Sequence, residues 1–193
     1  PVKRELSRTS ARPRVVVAGV GGLGCPIAEI LAESQACTLV LCDGDTVDRS
    51  NLPRQWLYGD ADVGAAKTAV ARTRLQTRWP SVTIETHGAL RFPDAARVLA
   101  DAALIVDGTD DVDFKFALND AAVAAGVPLV SGGAIGLYGH ALRVIPRVSP
   151  CLRCVFESPT EEMLRTCRDA GVLSTLPAMV GAVMAAMALR ALA

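Results

Sequence analysis

No charge of one sign dominates this chain. Its 193 residues carry 20 lysines plus arginines against 20 aspartates plus glutamates. That balance leaves no global basic field of the kind a nucleic-acid binder uses to hold phosphates. No apolar run is long enough to span a bilayer, and no secretory leader is read ahead of the first apolar strand. Internal repeats and low-complexity linkers are lacking as well. The two histidines, His87 and His140, fall in no motif and are read as surface or core filler. Six cysteines make a poor disulfide scaffold at this length. A reducing, cytoplasmic setting without nucleic-acid or membrane partners is therefore expected, with thiol or metal chemistry left open.

Hydrophobic residues make up 51% of the chain, enough for one globular domain with a substantial core. Residues 1–13 read as a loose basic arm broken by Pro13, and residues 14–193 as a single domain. Apolar runs predict strands at Arg14–Ala18, Thr38–Cys42, Val82–Thr86, Ala103–Val106, Pro128–Ser131 and Ala141–Ile145. Helical spacing predicts helices near Cys25–Ser34, Ala65–Arg78, Asp94–Ala100 and Val112–Ala125. Short buried strands alternating with helices argue for a mostly parallel sheet covered on both faces, a doubly wound Rossmann-like α/β fold. The Ala- and Met-rich ending, Ala178–Ala193, reads as a helix buried on the sheet or on a second subunit.

After the first strand, Gly19, Gly21 and Gly24 fit G-x-G-x-x-G, with Gly22 between them. Glycines allow a tight turn and a close approach of backbone to phosphate, whose charge then meets the positive end of a helix. That chemistry selects an anion, not a particular nucleotide. The second strand ends in Asp43, about twenty residues further on, where a carboxylate receives ribose hydroxyls in such folds. The segment that follows, DGDTVDRSNLPRQ, is a long polar excursion in place of an ordinary helix entry. It holds Asp45, Asn51, Arg54 and Gln55, and VGAAK then sets Lys67 at the start of a helix. A planar arginine fork and a compact lysine charge exceed what a dinucleotide needs and suit a triphosphate whose pyrophosphate leaves.

The run ALIVDGTDD ends in Asp107, Asp110 and Asp111, at the carboxyl end of a strand, where doubly wound folds bind ligands. Magnesium takes one or two such carboxylates plus phosphate oxygens. Asp110 is read as the metal aspartate; Asp111 suits metal work and helix capping equally.

GVGGLG, D-x-D-x-V-x-x-SNLPRQ, VGAAK and DGTDD together resemble the adenylating enzymes of the ThiF, MoeB and HesA type, relatives of the ubiquitin-activating enzymes. The resemblance runs from about Arg14 onward, and SNLPRQ with its downstream lysine is far more specific than the glycine turn. It implies ATP, not NAD, in that turn. It also implies magnesium-dependent adenylation of the C-terminal glycine of a small ubiquitin-like sulfur carrier. Carried over, Gly22 lies against the nucleotide, Asp43 takes the ribose, and Asn51, Arg54 and Lys67 hold the phosphates and transition state. Asp110 takes magnesium, and a homodimer is implied.

The cysteines fit less completely. Cys25, Cys37 and Cys42 read as small core residues. Cys151 and Cys154 form C-x-x-C, half of a four-ligand zinc site whose second pair, common in the family, is not found here. Cys167, flanked by Arg165 and Arg168, aligns with a thiol that links covalently to the carrier in some relatives; an incidental loop thiol is the other reading. The family's R-Y-x-R-Q helix is not found either, although Arg4 and Arg8 lie in the arm. That departure favours a rival expectation, a catalytically incomplete scaffold that binds a partner protein.

Overall fold

In the computed structural model, residues 12–92, 95–158 and 171–193 are described. The first half winds β1 (Arg14–Ala18), α1 (Gly24–Ser34), β2 (Thr38–Cys42), α2 (Lys67–Arg78) and β3 (Ile84–His87). The chain then passes through α3 (Ala95–Ala100) into β4 (Leu104–Asp107), α4 (Val112–Ala125), β5 (Leu129–Ile135) and β6 (Tyr138–Val144). A short helix, α5 (Leu152–Phe156), and a long last helix, Leu176–Leu192, complete the described chain. The strands lie in the order β3-β2-β1-β4-β5-β6, all parallel except the β5–β6 pair. This is the doubly wound, mostly parallel sheet expected from the alternation.

Strand side chains alternate between two packed layers, as a period of two requires. Val15, Val17, Leu39 and Leu41 face α1, α2 and the last helix through Ile27, Leu75 and Met184. Val16, Ala18, Val40 and Cys42 face α3 and α4 through Leu99, Leu118 and Ala122. Strands buried on both faces explain the continuous apolar runs. The last helix joins the first of these layers, with Val180, Met184 and Ala188 inward.

Several boundaries differ from expectation by a few residues, two of them for a visible reason. The strand predicted from Val82 begins at Ile84, because the Val82 amide closes a turn on the Trp79 carbonyl at 3.0 Å. The glycine-rich SGGAIGLYGH, read only in part as strand, forms a hairpin, strand up to Ile135 and again from Tyr138, with Gly133 opposite His140. Gly136, with φ 57°, turns it in a space too short for the crossover a parallel pair needs. The arm over residues 1–13 lies outside the described residues up to 11.

Candidate active site

β1 sends its helix to one side of the sheet and β4 to the other, and the crevice between their carboxyl ends opens into a cleft of about 800 Å³. The four glycines divide their work. Gly19 turns the chain at φ 81° and donates its amide to the Cys42 carbonyl at 2.8 Å. A Cβ on Gly24 would overlap the Gly19 carbonyl, so Gly24 lets α1 begin against the turn and does not itself line the cleft. Gly21 and Gly22 are the pair left facing the cleft beside Gly19.

Asp43 binds this turn to the next loop. One carboxylate oxygen accepts the Val20 amide at 2.8 Å and the other accepts the Asp45 amide at 2.8 Å. Each oxygen retains a lone pair for a hydroxyl. Asp45 in turn accepts the Lys67 amide on its carbonyl at 3.1 Å and the Lys67 ammonium on its carboxylate at 2.8 Å. The glycine turn, Asp43, Asp45 and Lys67 are thus one hydrogen-bonded chain.

SNLPRQ folds as a 3₁₀ turn, Arg49–Arg54, whose first amides are capped by Asp48 accepting from Ser50 at 2.7 Å. Side chains three apart on a 3₁₀ turn share one face. Arg54 therefore donates to Asn51 Oδ1 at 2.6 Å, and both line the cleft. Gln55 lies beneath them, 5% exposed, and its Oε1 is buried without a hydrogen-bond partner.

At the end of β4 the three aspartates separate. Asp111 caps α4, its Oδ1 accepting the Phe114 amide at 2.9 Å, and it also lines the cleft. Asp110 is exposed on the cleft wall. Asp107 is fully buried and accepts from the Thr109 amide and hydroxyl, from Ser131 Oγ at 2.7 Å and from the Lys115 ammonium at 3.0 Å. Lys115 also donates to the Gly132 carbonyl at 2.7 Å and forms part of the cleft wall. The sequence offered no sign of Lys115 beyond its position on α4, since its partners come from neighbouring strands.

Residues 3–193 match the model of the ThiF family. The chain belongs to the ThiF family. Among relatives it is similar to, the sulfur carrier protein adenylyltransferase of Thermus thermophilus is 38% identical, covering 94% of this chain and 69% of that protein. The SAMP-activating enzyme E1 of Haloferax volcanii is 36% identical, with 93% and 67% covered. The adenylyltransferase and sulfurtransferase MOCS3 of Anopheles gambiae is 39% identical over 89% of this chain, which spans only 39% of that protein. Among solved structures, E. coli MccB with ATP superposes with a TM-score of 0.78 at 23% identity, covering 93% of this chain and 55% of that one; it is a likeness of fold.

The family's thiols take distinct environments here. Burial pushes the Cys25 and Cys42 thiols up to about 12 and Cys37 to about 11, so these are inert core groups. Cys151 and Cys154 lie with Sγ atoms 3.5 Å apart at the start of α5. Burial opposes ionisation of Cys151, but hydrogen bonds from Cys154 outweigh it and hold the thiol below its ordinary value. Asn119 and Asp120 on α4 fix this segment, Asn119 accepting the Leu152 amide at 2.9 Å and Asp120 gripping Arg153. Among the described residues no group of three or more His, Cys, Asp or Glu stands ready for a metal, so this pair fits half a zinc site and no more. Cys167 lies outside the described residues. His140, given no role from sequence, stands in the cleft wall beside Phe156.

Proposed function

We propose that this chain is an ATP-dependent adenylyltransferase acting on the C-terminal glycine carboxylate of a small ubiquitin-like or sulfur-carrier protein. The observation that carries the reading is the meeting of Arg54, from a 3₁₀ turn, and Lys67, from α2, on one cleft with the glycine turn and Asp110. Its relatives are named as adenylyltransferases of such carriers. The substrate's carboxylate oxygen attacks the α-phosphorus of ATP. A bond forms between that carboxylate oxygen and the α-phosphorus, giving the acyl adenylate, and the bond from the α-phosphorus to the bridging oxygen breaks with its electron pair leaving on pyrophosphate. The nucleophile is already ionised, so no general base is needed, only positioning and charge neutralisation.

Gly21 and Gly22 give the nucleotide close backbone approach, Asp43 receives the ribose, and Asn51, Arg54 and Lys67 meet the phosphates. Asp110 offers the exposed hard oxygen that fits magnesium, with phosphate oxygens completing the set. Magnesium, when bound, supplies neutralisation of the departing charge. No step is assigned to zinc. A later thiol step at Cys167 belongs to the same proposal, as does a cytoplasmic setting; no helix among the described residues is long and apolar enough to cross a membrane.

Exchange of labelled pyrophosphate into ATP, in the presence of ubiquitin-fold carriers ending in Gly-Gly, tests the reading. Carrier-dependent exchange is expected, with thermal stabilisation by magnesium-ATP and none by NAD. Stabilisation by NAD alone would overturn it.

A further inference from the structure

Lys115 has no part in the adenylation step above, yet it is a charged group in the cleft wall with a side chain only 8% exposed. An ammonium carries three N–H donors. Asp107 and the Gly132 carbonyl take two of them. Asp107 has no such reserve: its two oxygens accept from the Thr109 amide, the Thr109 hydroxyl, Ser131 and Lys115, which fills about four lone-pair sites. The carboxylate is saturated from within the protein, while the ammonium keeps one donor. Lys115 lines the cleft and Asp107, fully buried, does not, so the cation is the member of the pair that reaches the cleft.

The wall on this side comes from β5, β6 and α5 and is largely apolar, with Ile135, Leu152 and Phe156. His140 and Tyr138 also line this wall; burial, and then the Lys115 charge, hold the His140 imidazole below its ordinary pKa against a smaller opposing pull from Asp107. Arg54 and Lys67 lie with the glycine turn and the phosphates. A carboxylate entering the apolar half is desolvated, and an unpaired charge there is strongly disfavoured.

We propose that Lys115 anchors the acceptor, its third N–H binding the C-terminal carboxylate of the incoming protein. The proposal rests on the adenylation reading and names the group that recognises that substrate's charge.

The test is binding, not turnover. A ubiquitin-fold carrier ending in Gly-Gly is titrated as free carboxylate and as C-terminal amide, with a non-hydrolysable ATP analogue present. The wild type should prefer the carboxylate by about tenfold or more, the value of a hydrogen bond to a charged group. Lys115→Gln should bring the two forms to within about twofold, with nucleotide affinity unchanged, and Lys115→Arg should keep part of the preference. Should Lys115→Gln fail to fold with Asp107 left unpaired, Lys115→Met with Asp107→Asn removes both buried charges and should show the same loss. A variant that keeps the full preference, or weakens both forms equally, would overturn the proposal. A wild type that binds the nucleotide but shows no preference also overturns it, and leaves the adenylation reading standing. A wild type that binds no nucleotide removes both.

Discussion

The ammonium of Lys67 rests 2.8 Å from the carboxylate of Asp45, with the lysine side chain 5% exposed and the aspartate 74% exposed. The pair is lopsided: the cation is sheltered at the edge of the cleft and its counter-ion is in water. Solvent screens the exposed partner, so the attraction is weak enough for a triphosphate to compete for the same ammonium. Lys67→Ala and Arg54→Ala should each lower pyrophosphate exchange by about a hundredfold or more, the usual loss for a transition-state contact. Circular dichroism should stay native. Wild-type exchange in either variant would remove its charge role.

Asp110→Asn keeps the shape of the turn and removes its charge. Turnover should fall more than nucleotide affinity, because Gly22, Asp43 and Arg54 still hold the ligand, and raised magnesium should recover part of the rate. An exchange rate and magnesium dependence equal to wild type would move the role elsewhere.

Gly24→Ala tests the packing reading of the third motif glycine. Its methyl would overlap backbone, the Gly19 carbonyl, which has no rotamer to yield. A loss of stability of about 1–3 kcal/mol or more is expected, read as a lower denaturant midpoint. Gly22→Ala should behave differently. Its Cβ would meet the Pro177 ring at 3.1 Å on the cleft side, so nucleotide affinity should suffer more than stability.

His140 gives a pH dependence of definite sign. Its folded pKa lies below the ordinary 6.5, through burial and then Lys115, so the unfolded chain takes up a proton there first. Its contribution to stability is whole above the unfolded value and is lost as pH falls through the folded one. Melting temperature should therefore drop between about pH 7 and about pH 5, and drop less in His140→Gln. An equal drop in both would place the acid sensitivity in other groups.

Leu137 and Tyr138 at the hairpin tip, Leu173, and Met179 and Val183 on the last helix are large apolar side chains left exposed. The resemblance implies a homodimer, and these side chains offer apolar surface for it to cover. Light scattering should give twice the 20.2 kDa chain mass. Met179→Glu with Val183→Glu should shift the particle to a monomer; a monomeric wild type at all concentrations would end the expectation.

What the sequence determined by itself is whatever a few consecutive residues carry. A glycine at positive φ, a 3₁₀ turn that sets Asn51 beside Arg54, and an aspartate at a strand end are all local, so the glycine-turn side of the cleft was legible before any fold was known. The alternation of strand and helix likewise follows from hydrophobic period. The side of the cleft lined by β5, β6 and α5 was not legible. Its wall depends on β5 lying next to β4 and on β6 folding back antiparallel, which puts Ser131 on Asp107 and His140 opposite Gly133. Lys115 drew no reading from the sequence; the Asp107 carboxylate on β4 and the Gly132 carbonyl on β5 are what bury it. That Gly24 must lack a side chain because the Gly19 carbonyl occupies its place was likewise visible only in three dimensions. Local motifs specify backbone shape within a turn, but the partner of a buried charge is fixed by strand order, and only the tertiary structure decides that.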